Sequence, residues 1–138
     1  MTGGVVFRVA DAQYFLPATI AFKVLPMPEL ARVPGAPAEL VGVALVEGEM
    51  VPVVAIGELD TRGSRRPPAV GEYRRVDNRP MLVCTYLGER VGLVGLEIVA
   101  TGSFAAEDPD HVIHGGLSVP LFDVSAVVGR LREGRWAV

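Results

Sequence analysis

Apolar residues fall along this chain in short valine-rich runs, each closed by two or three turn-forming residues. The pattern is sharpest from Val33 to Leu59, VPGAPAELVGVALVEGEMVPVVAIGEL, where Leu40–Val46 and Met50–Ile56 flank Glu47-Gly48-Glu49. Runs this short, rich in β-branched residues and bounded by turn formers, predict two strands of a tight hairpin around Gly48. Val41, Val43 and Leu45 alternate with Leu40, Ala44 and Val46, so both faces of the first strand are apolar. Such a strand lies inside a core or lends one face to a partner. Pro52 has no N–H to donate, which predicts a sheet edge or a bulge in the second strand. The Pro-Gly-Ala-Pro loop that opens the stretch cannot continue a helix, because each proline removes a donor and fixes φ.

The same pattern, read in order, predicts strands over Val5–Ala10 and Tyr14–Ala18 around a turn at Asp11-Ala12-Gln13, and a further strand over Ile20–Leu25. Pro26-Met27-Pro28 breaks the chain before the hairpin. Asp60–Val70, DTRGSRRPPAV, has almost no apolar content and reads as an exposed connector. Beyond it come Met81–Leu87 and Val91–Leu96 around Gly88-Glu89-Arg90, a short continuation at Ile98–Thr101, and a strand at Leu117–Phe122. GSFAAEDPDHVIHGG, between Thr101 and Leu117, reads as irregular. Asp123 is placed as a helix N-cap, with Val124, Val127, Val128 and Leu131 on one face and Gly134 as the stop.

Laid against itself the chain shows a weak duplication. FRVADAQYFLP at Phe7–Pro17 matches VCTYLGERVGLV at Val83–Val94 in kind, at a shift of about 77 residues. Val51-Pro52-Val53-Val54 recurs as Val119-Pro120-Leu121-Phe122, and a Val-Pro inside a strand is unusual enough for its recurrence to carry weight. Short strands joined by tight turns dispose of their edges by curling into barrels. The expectation is an all-β fold of two small antiparallel β-barrels with a short C-terminal helix, one domain over 1–138. The two sub-barrels are expected at approximately 1–61 and 72–138, with 62–71 between them.

Composition narrows the function. A chain of 138 residues holds one respectable core but not two independent ones. Its formal net charge of −3 gives no global attraction to nucleic acid, and the single cysteine, Cys84, permits no internal disulfide. The start, MTGGVVFRVADAQ, lacks the basic and apolar regions of a signal peptide, and no apolar run approaches the ~20 residues that cross a bilayer. A soluble cytoplasmic protein is expected. His111 and His114 stand beside Glu107, Asp108 and Asp110, but Pro109 and Gly115-Gly116 deny them a helix and no second ligand cluster exists, so an acidic surface loop is expected, with no metal and no cofactor. Cys84 lies in the apolar run MLVCTYL and reads as a buried small hydrophobe. No GxSxG elbow, triad base or phosphate-cradling glycine loop is present, so no enzyme is expected. Arg62, Arg65, Arg66, Arg74, Arg75 and Arg79 are six of the thirteen basic residues, with Tyr73 the one aromatic among them. The alternative function is therefore a small β-barrel binding nucleic acid or an acidic surface through Arg62–Arg79.

LPATIAFKV, RVPGAPAELVGV and LVEGEMVPVVAI together resemble the CheW family, the adaptors of bacterial chemosensory arrays. That family's pattern runs through a V-x-E-V-like segment and a proline loop into G-V-x-N-L-R-G-x-x-x-P-V-[VI]-D-L, matched here by Gly42–Ile56. LVCTYLGERVGLVGLEIV resembles its second-half hairpin, and VPLFDVSAVVGRL its closing strand and helix. The resemblance implies two interlocked SH3-like barrels with a hydrophobic core between them. It also implies a non-enzymatic scaffold that binds a chemoreceptor signalling tip, the regulatory domain of a CheA-like histidine kinase, or another CheW-like adaptor. Partner-binding residues are expected at Ala21, Lys23, Val24, Val43, Leu45, Glu47 and Val51. The chain departs from the pattern at several of these places. The family's asparagine and arginine before the hairpin glycine are Leu45 and Glu47, and its aspartate and arginine after the Pro-Val-Val strand are Ala55 and Gly57. Its glutamate in the V-x-E-V segment is Lys23. Two signs have reversed together, at Lys23 and Glu47, which predicts an ion pair of exchanged polarity and an altered partner preference.

Overall fold

The computed structural model describes residues 1–35, 40–56 and 79–133. Within them the chain forms strands β1 (Thr2–Val9), β2 (Ala12–Pro17), β3 (Ala21–Leu25), β4 (Leu40–Val46), β5 (Glu49–Ala55), β6 (Met81–Tyr86), β7 (Glu89–Val94), β8 (Glu97–Asp108), β9 (His111–His114) and β10 (Leu117–Pro120), then helix α1 (Val124–Glu133). The connector at 62–71 and the helix stop at Gly134 lie outside the described residues.

Turns are set by backbone geometry more than by composition. Glu47-Gly48, Leu87-Gly88 and Gly115-Gly116 each place two successive residues at positive φ, near +50° to +60° and then near +80°. That is the two-residue turn whose twist matches the flanking strands. The three-residue turns expected at 47–49 and 88–90 are therefore each one residue shorter, and the following strands begin at Glu49 and Glu89.

Two five-stranded sheets result, in the orders β10-β9-β8-β1-β2 and β3-β6-β7-β5-β4. The first closes on itself through a parallel bridge between Phe15 and Leu121. The second has β3 and β4 as its open edges, and its seam is crossed by Ala31, which exchanges both backbone hydrogen bonds with Val43 at 2.9 Å. We call them the terminal barrel, built from both ends of the chain, and the central barrel, built from β3 to β7. The sub-barrel boundary thus does not fall at the connector: each side of residues 62–71 supplies strands to both barrels, so the expected division at 1–61 and 72–138 is corrected.

The duplication nevertheless holds in register. Phe7 pairs with Tyr14 and Arg8 with Gln13, while Cys84 pairs with Val91 and Thr85 with Arg90 at the same shift. The parallel contact of Phe15 with Leu121 in one barrel corresponds to that of Val53 with Gly92 in the other. The two barrels share one strand plan, started at different points along the chain.

Two further expectations change. GSFAAEDPDHVIHGG is a hairpin: β8 runs on to Asp108, and His111–His114 returns as β9. Its small and acidic residues are poor strand formers, but pairing with β1 on one side and β9 on the other overrides that preference, with Phe104 buried as anchor. Pro52 lies on an interior strand, not an edge. Opposite it, Val43 turns its N–H and C=O to Ala31, so the pairing with β4 does not call on the N–H that proline lacks. The bulge is on β4, between Leu40 and Gly42.

Three cores explain the apolar faces. Met27, Leu30, Ala44, Val46, Val51, Val53, Met81 and Val83 fill the central barrel, and Val6, Phe15, Phe104, Val112 and Val119 the terminal one. Between them Phe7, Leu16, Leu40, Val54, Leu82, Cys84 and Leu93 form a third, closed by Val124 and Val128 of α1. A strand between a barrel interior and this shared layer is buried on both faces. Asp123 caps α1: the N–H of Ala126 donates to its Oδ1 at 3.2 Å and the Ser125 hydroxyl at 2.5 Å, and these bonds hold its carboxyl below the ordinary value.

Candidate partner-binding surface

The β4–β5 hairpin has one face in the central core and one toward solvent. With a two-residue turn, Val46 is set opposite Glu49, Leu45 opposite Met50, and Val43 opposite Pro52. Ala44, Val46, Val51 and Val53 point inward. Leu45 and Met50 therefore stand side by side on the outside, 69% and 60% exposed. Val43 and Pro52, the next pair, are half-buried. Beside Met50 and Pro52 lies an open hollow walled by Glu49, Gly88, Glu89, Arg90 and Val128 of α1.

A charged network edges this face. Lys23 Nζ donates to Glu47 Oε2 at 2.5 Å, joining β3 to the turn after β4 across the barrel seam. Arg90 on β7 lies 3.5 Å from Glu47 Oε1 and 3.2 Å from Glu49 Oε1. The Lys23 hydrogen bond and charge, helped by Arg90, hold the Glu47 carboxyl below its ordinary value, so it stays ionised. Pairs this exposed are screened by water and add little stability, so the network's importance is in the charge it presents.

Of the residues expected at a contact surface, Lys23, Glu47 and Leu45 come together at the hairpin tip. Val24 is 40% exposed on β3. Ala21 and Val43 are partly covered, Ala21 by the layer between the barrels. Val51 is fully buried in the central core and offers no surface, because the hairpin register turns it inward with Ala44. Met50, Glu49 and Arg90 were not singled out by sequence. A two-residue turn at Glu47-Gly48, once assumed, would have placed Met50 against Leu45. Nothing local in the sequence brings Arg90, on a strand parallel to β5, to the same carboxylates.

Two other groups singled out by sequence lie among the described residues. Glu107, Asp108 and His111 bring ligand atoms within 4.8 Å of one another, all on the surface. Asp108 accepts from the N–H of Asp110 at 2.8 Å, and its Oδ1 lies 2.9 Å from His111 Nδ1, which accounts for the cluster as a staple of the β8–β9 turn. The Cys84 thiol is buried and pushed up to about 12 by desolvation, which leaves no thiolate for nucleophilic work. Ala55 is buried in the central barrel, while Gly57, Tyr73 and the arginines at 62, 65, 66, 74 and 75 lie outside the described residues. No helix among the described residues is long and apolar enough to cross a membrane.

A family model described as "CheW-like domain" matches residues 3–135. In structure the chain is similar to the scaffolding protein TtCheW from Thermoanaerobacter tengcongensis, with a TM-score of 0.58 and 18% identity over 88% of each chain. No curated protein matches it.

Proposed function

The chain belongs to the CheW-like domain family of non-enzymatic chemotaxis scaffolds, and from that premise we propose that it is an adaptor with an altered partner preference. It joins a chemoreceptor signalling domain, a CheA-like kinase regulatory domain or a second adaptor through the outer face of the β4–β5 hairpin. The observation that carries this reading is the exposed Leu45–Met50 pair edged by the Lys23–Glu47–Arg90–Glu49 network. Exposed apolar side chains paired across one strand couple are an adaptor's contact, whereas a catalytic site needs convergent polar groups in a cleft.

The altered preference follows from the pair at Lys23 and Glu47, whose signs are the reverse of the family pattern. A partner surface complementary to the ordinary polarity meets like charges here, which costs specificity more than stability. Titration of the purified protein with a receptor signalling tip and with a CheA-like regulatory domain tests the adaptor reading. Binding to at least one, lost in a folded Leu45→Asp variant, is the expected result; binding to neither, or binding indifferent to Leu45→Asp, refutes it. The double exchange Lys23→Glu with Glu47→Arg tests the preference. It should strengthen binding to standard partners beyond either single change.

A further inference from the structure

Resting on the reading of this hairpin as a contact surface, we propose that Met50 is a modification site: peroxide converts it reversibly to the sulfoxide, which releases the partner. The chain's sulfur is held in four methionines and one cysteine, and the fold leaves few of them open to an oxidant. Met81 is fully buried, and its Sδ is pressed so close to β7 that a Cβ on Gly92 would lie 2.5 Å from it. Met27 shares that core at 6% exposure, and Cys84 is sealed in the layer between the barrels. Met1 is open but precedes β1 of the terminal barrel. Met50, 60% exposed, is the one methionine on the hairpin, paired across it with Leu45 and bordering the open hollow.

The chemistry needs only a reachable thioether and a peroxide, of which hydrogen peroxide is the simplest. The Met50 Sδ donates an electron pair to one peroxide oxygen as the O–O bond breaks. An S–O bond forms, and the departing hydroxide takes the proton of the transferred hydroxyl and leaves as water. Sulfur is oxidised by two electrons, and peroxide is reduced by the same two. A flexible apolar side chain thereby becomes a polar one with a strong acceptor. In the free protein that oxygen faces water, so the fold does not resist it. Under a partner it is drawn out of water beside Leu45, which offers no donor, and the contact loses free energy. Reductases return the sulfoxide to the thioether, so the surface closes and reopens where leucine would leave it fixed.

The test treats the full chain with hydrogen peroxide, removes the oxidant with catalase and then adds partner, so that only this protein is oxidised. Peptide mass mapping should find oxygen on Met50 roughly tenfold or more faster than on Met27 and Met81, with Cys84 unchanged. Circular dichroism should stay native. Binding to the receptor signalling tip or the CheA-like regulatory domain should weaken roughly tenfold or more, the cost of covering one unpaired polar group. The two stereospecific methionine sulfoxide reductases together should restore it. Met50→Leu, whatever its starting affinity, should bind alike before and after peroxide, which excludes Met1 as the source. Oxidation of Met50 no faster than of the buried methionines, loss of the native spectrum, or peroxide sensitivity that persists in Met50→Leu overturns the proposal. Partner binding that is lost in Leu45→Asp yet unmoved by the Met50 sulfoxide refutes the switch and leaves the contact surface standing. Binding to neither partner, or binding indifferent to Leu45→Asp, refutes that reading, and the switch falls with it.

Discussion

Replacing Phe7 with alanine should weaken both barrels at once. Phe7 is fully buried in the layer between them, with its ring edge-on to Phe122 at 5.4 Å between centroids and 5.9 Å from Tyr14. The same layer holds Leu82, Cys84 and Leu93 of the central barrel and Val124 and Val128 of α1. Removing a buried phenyl ring leaves a cavity that a close-packed layer cannot fully collapse, and costs about 3–5 kcal/mol. Domains are stable by only ~5–15 kcal/mol, so roughly a fifth or more of the folding free energy goes. At this chain length the loss corresponds to a fall in Tm on the order of 10–20 °C. Urea unfolding followed by far-UV circular dichroism measures it. The midpoint should fall with the slope unchanged, in one transition, because the ring belongs to β1 while its neighbours belong to both barrels. A loss under about 1 kcal/mol, or two separate transitions of which one stays at the wild-type midpoint, would refute a shared, close-packed layer.

Three further perturbations follow from the same geometry. Leu45→Asp should fold normally, since the side chain is already in water, whereas Val51→Asp should fail to fold, because an unpaired carboxylate in the central core costs several kcal/mol; circular dichroism of the two variants checks this. Gly42→Ala should destabilise the seam, because a Cβ there lies 2.8 Å from the carbonyl oxygen of Ala31 and 3.1 Å from Leu30 Cβ; hydrogen exchange at the Val43 amide should speed up. His111 should titrate above its ordinary value because Asp108 binds its charged form. Its stabilising contribution is then complete below the unfolded histidine pKa of ~6.5 and lost as pH rises through the folded value. The Asp108 carboxyl, held low chiefly by His111, contributes above its unfolded value and loses that as pH falls. A proton NMR titration should show the His111 midpoint drop in Asp108→Asn.

What could be read from sequence was what local pattern encodes. Among the described residues, eight strands and the start of β8 announce themselves through short apolar runs and turn residues, and Asp123 through its place before Val124. The register of the duplication was legible too, since Phe7–Pro17 and Val83–Val94 fold alike. Two things were hidden because they are set by distant pairing. The β8–β9 hairpin has weak strand formers and exists through its ladders to β1 and β10. The division into barrels depends on which strands meet, and a continuous stretch with a repeat suggests halves where the chain in fact nests one barrel inside the other. At the site, the ion pair of Lys23 with Glu47 was legible from two reversed signs. The inward turn of Val51 was not, because an apolar run with both faces alike gives no phase.

That nesting imposes an order on synthesis. The central barrel occupies one continuous stretch from Ala21 to Val94, and every strand of it has left the ribosome before β8 begins. The terminal barrel opens with β1 and β2, made before the central barrel, and closes with β8 to β10, made after it, across a long loop. Until then the outer faces of β1 and β2 have a surface to rest on, since Phe7 and Leu16 pack against the finished central barrel. Their other faces do not. Val6 and Phe15 line a barrel whose remaining wall, Phe104, Val112 and Val119, is translated after the central barrel, and for that interval this hairpin has an apolar face without cover.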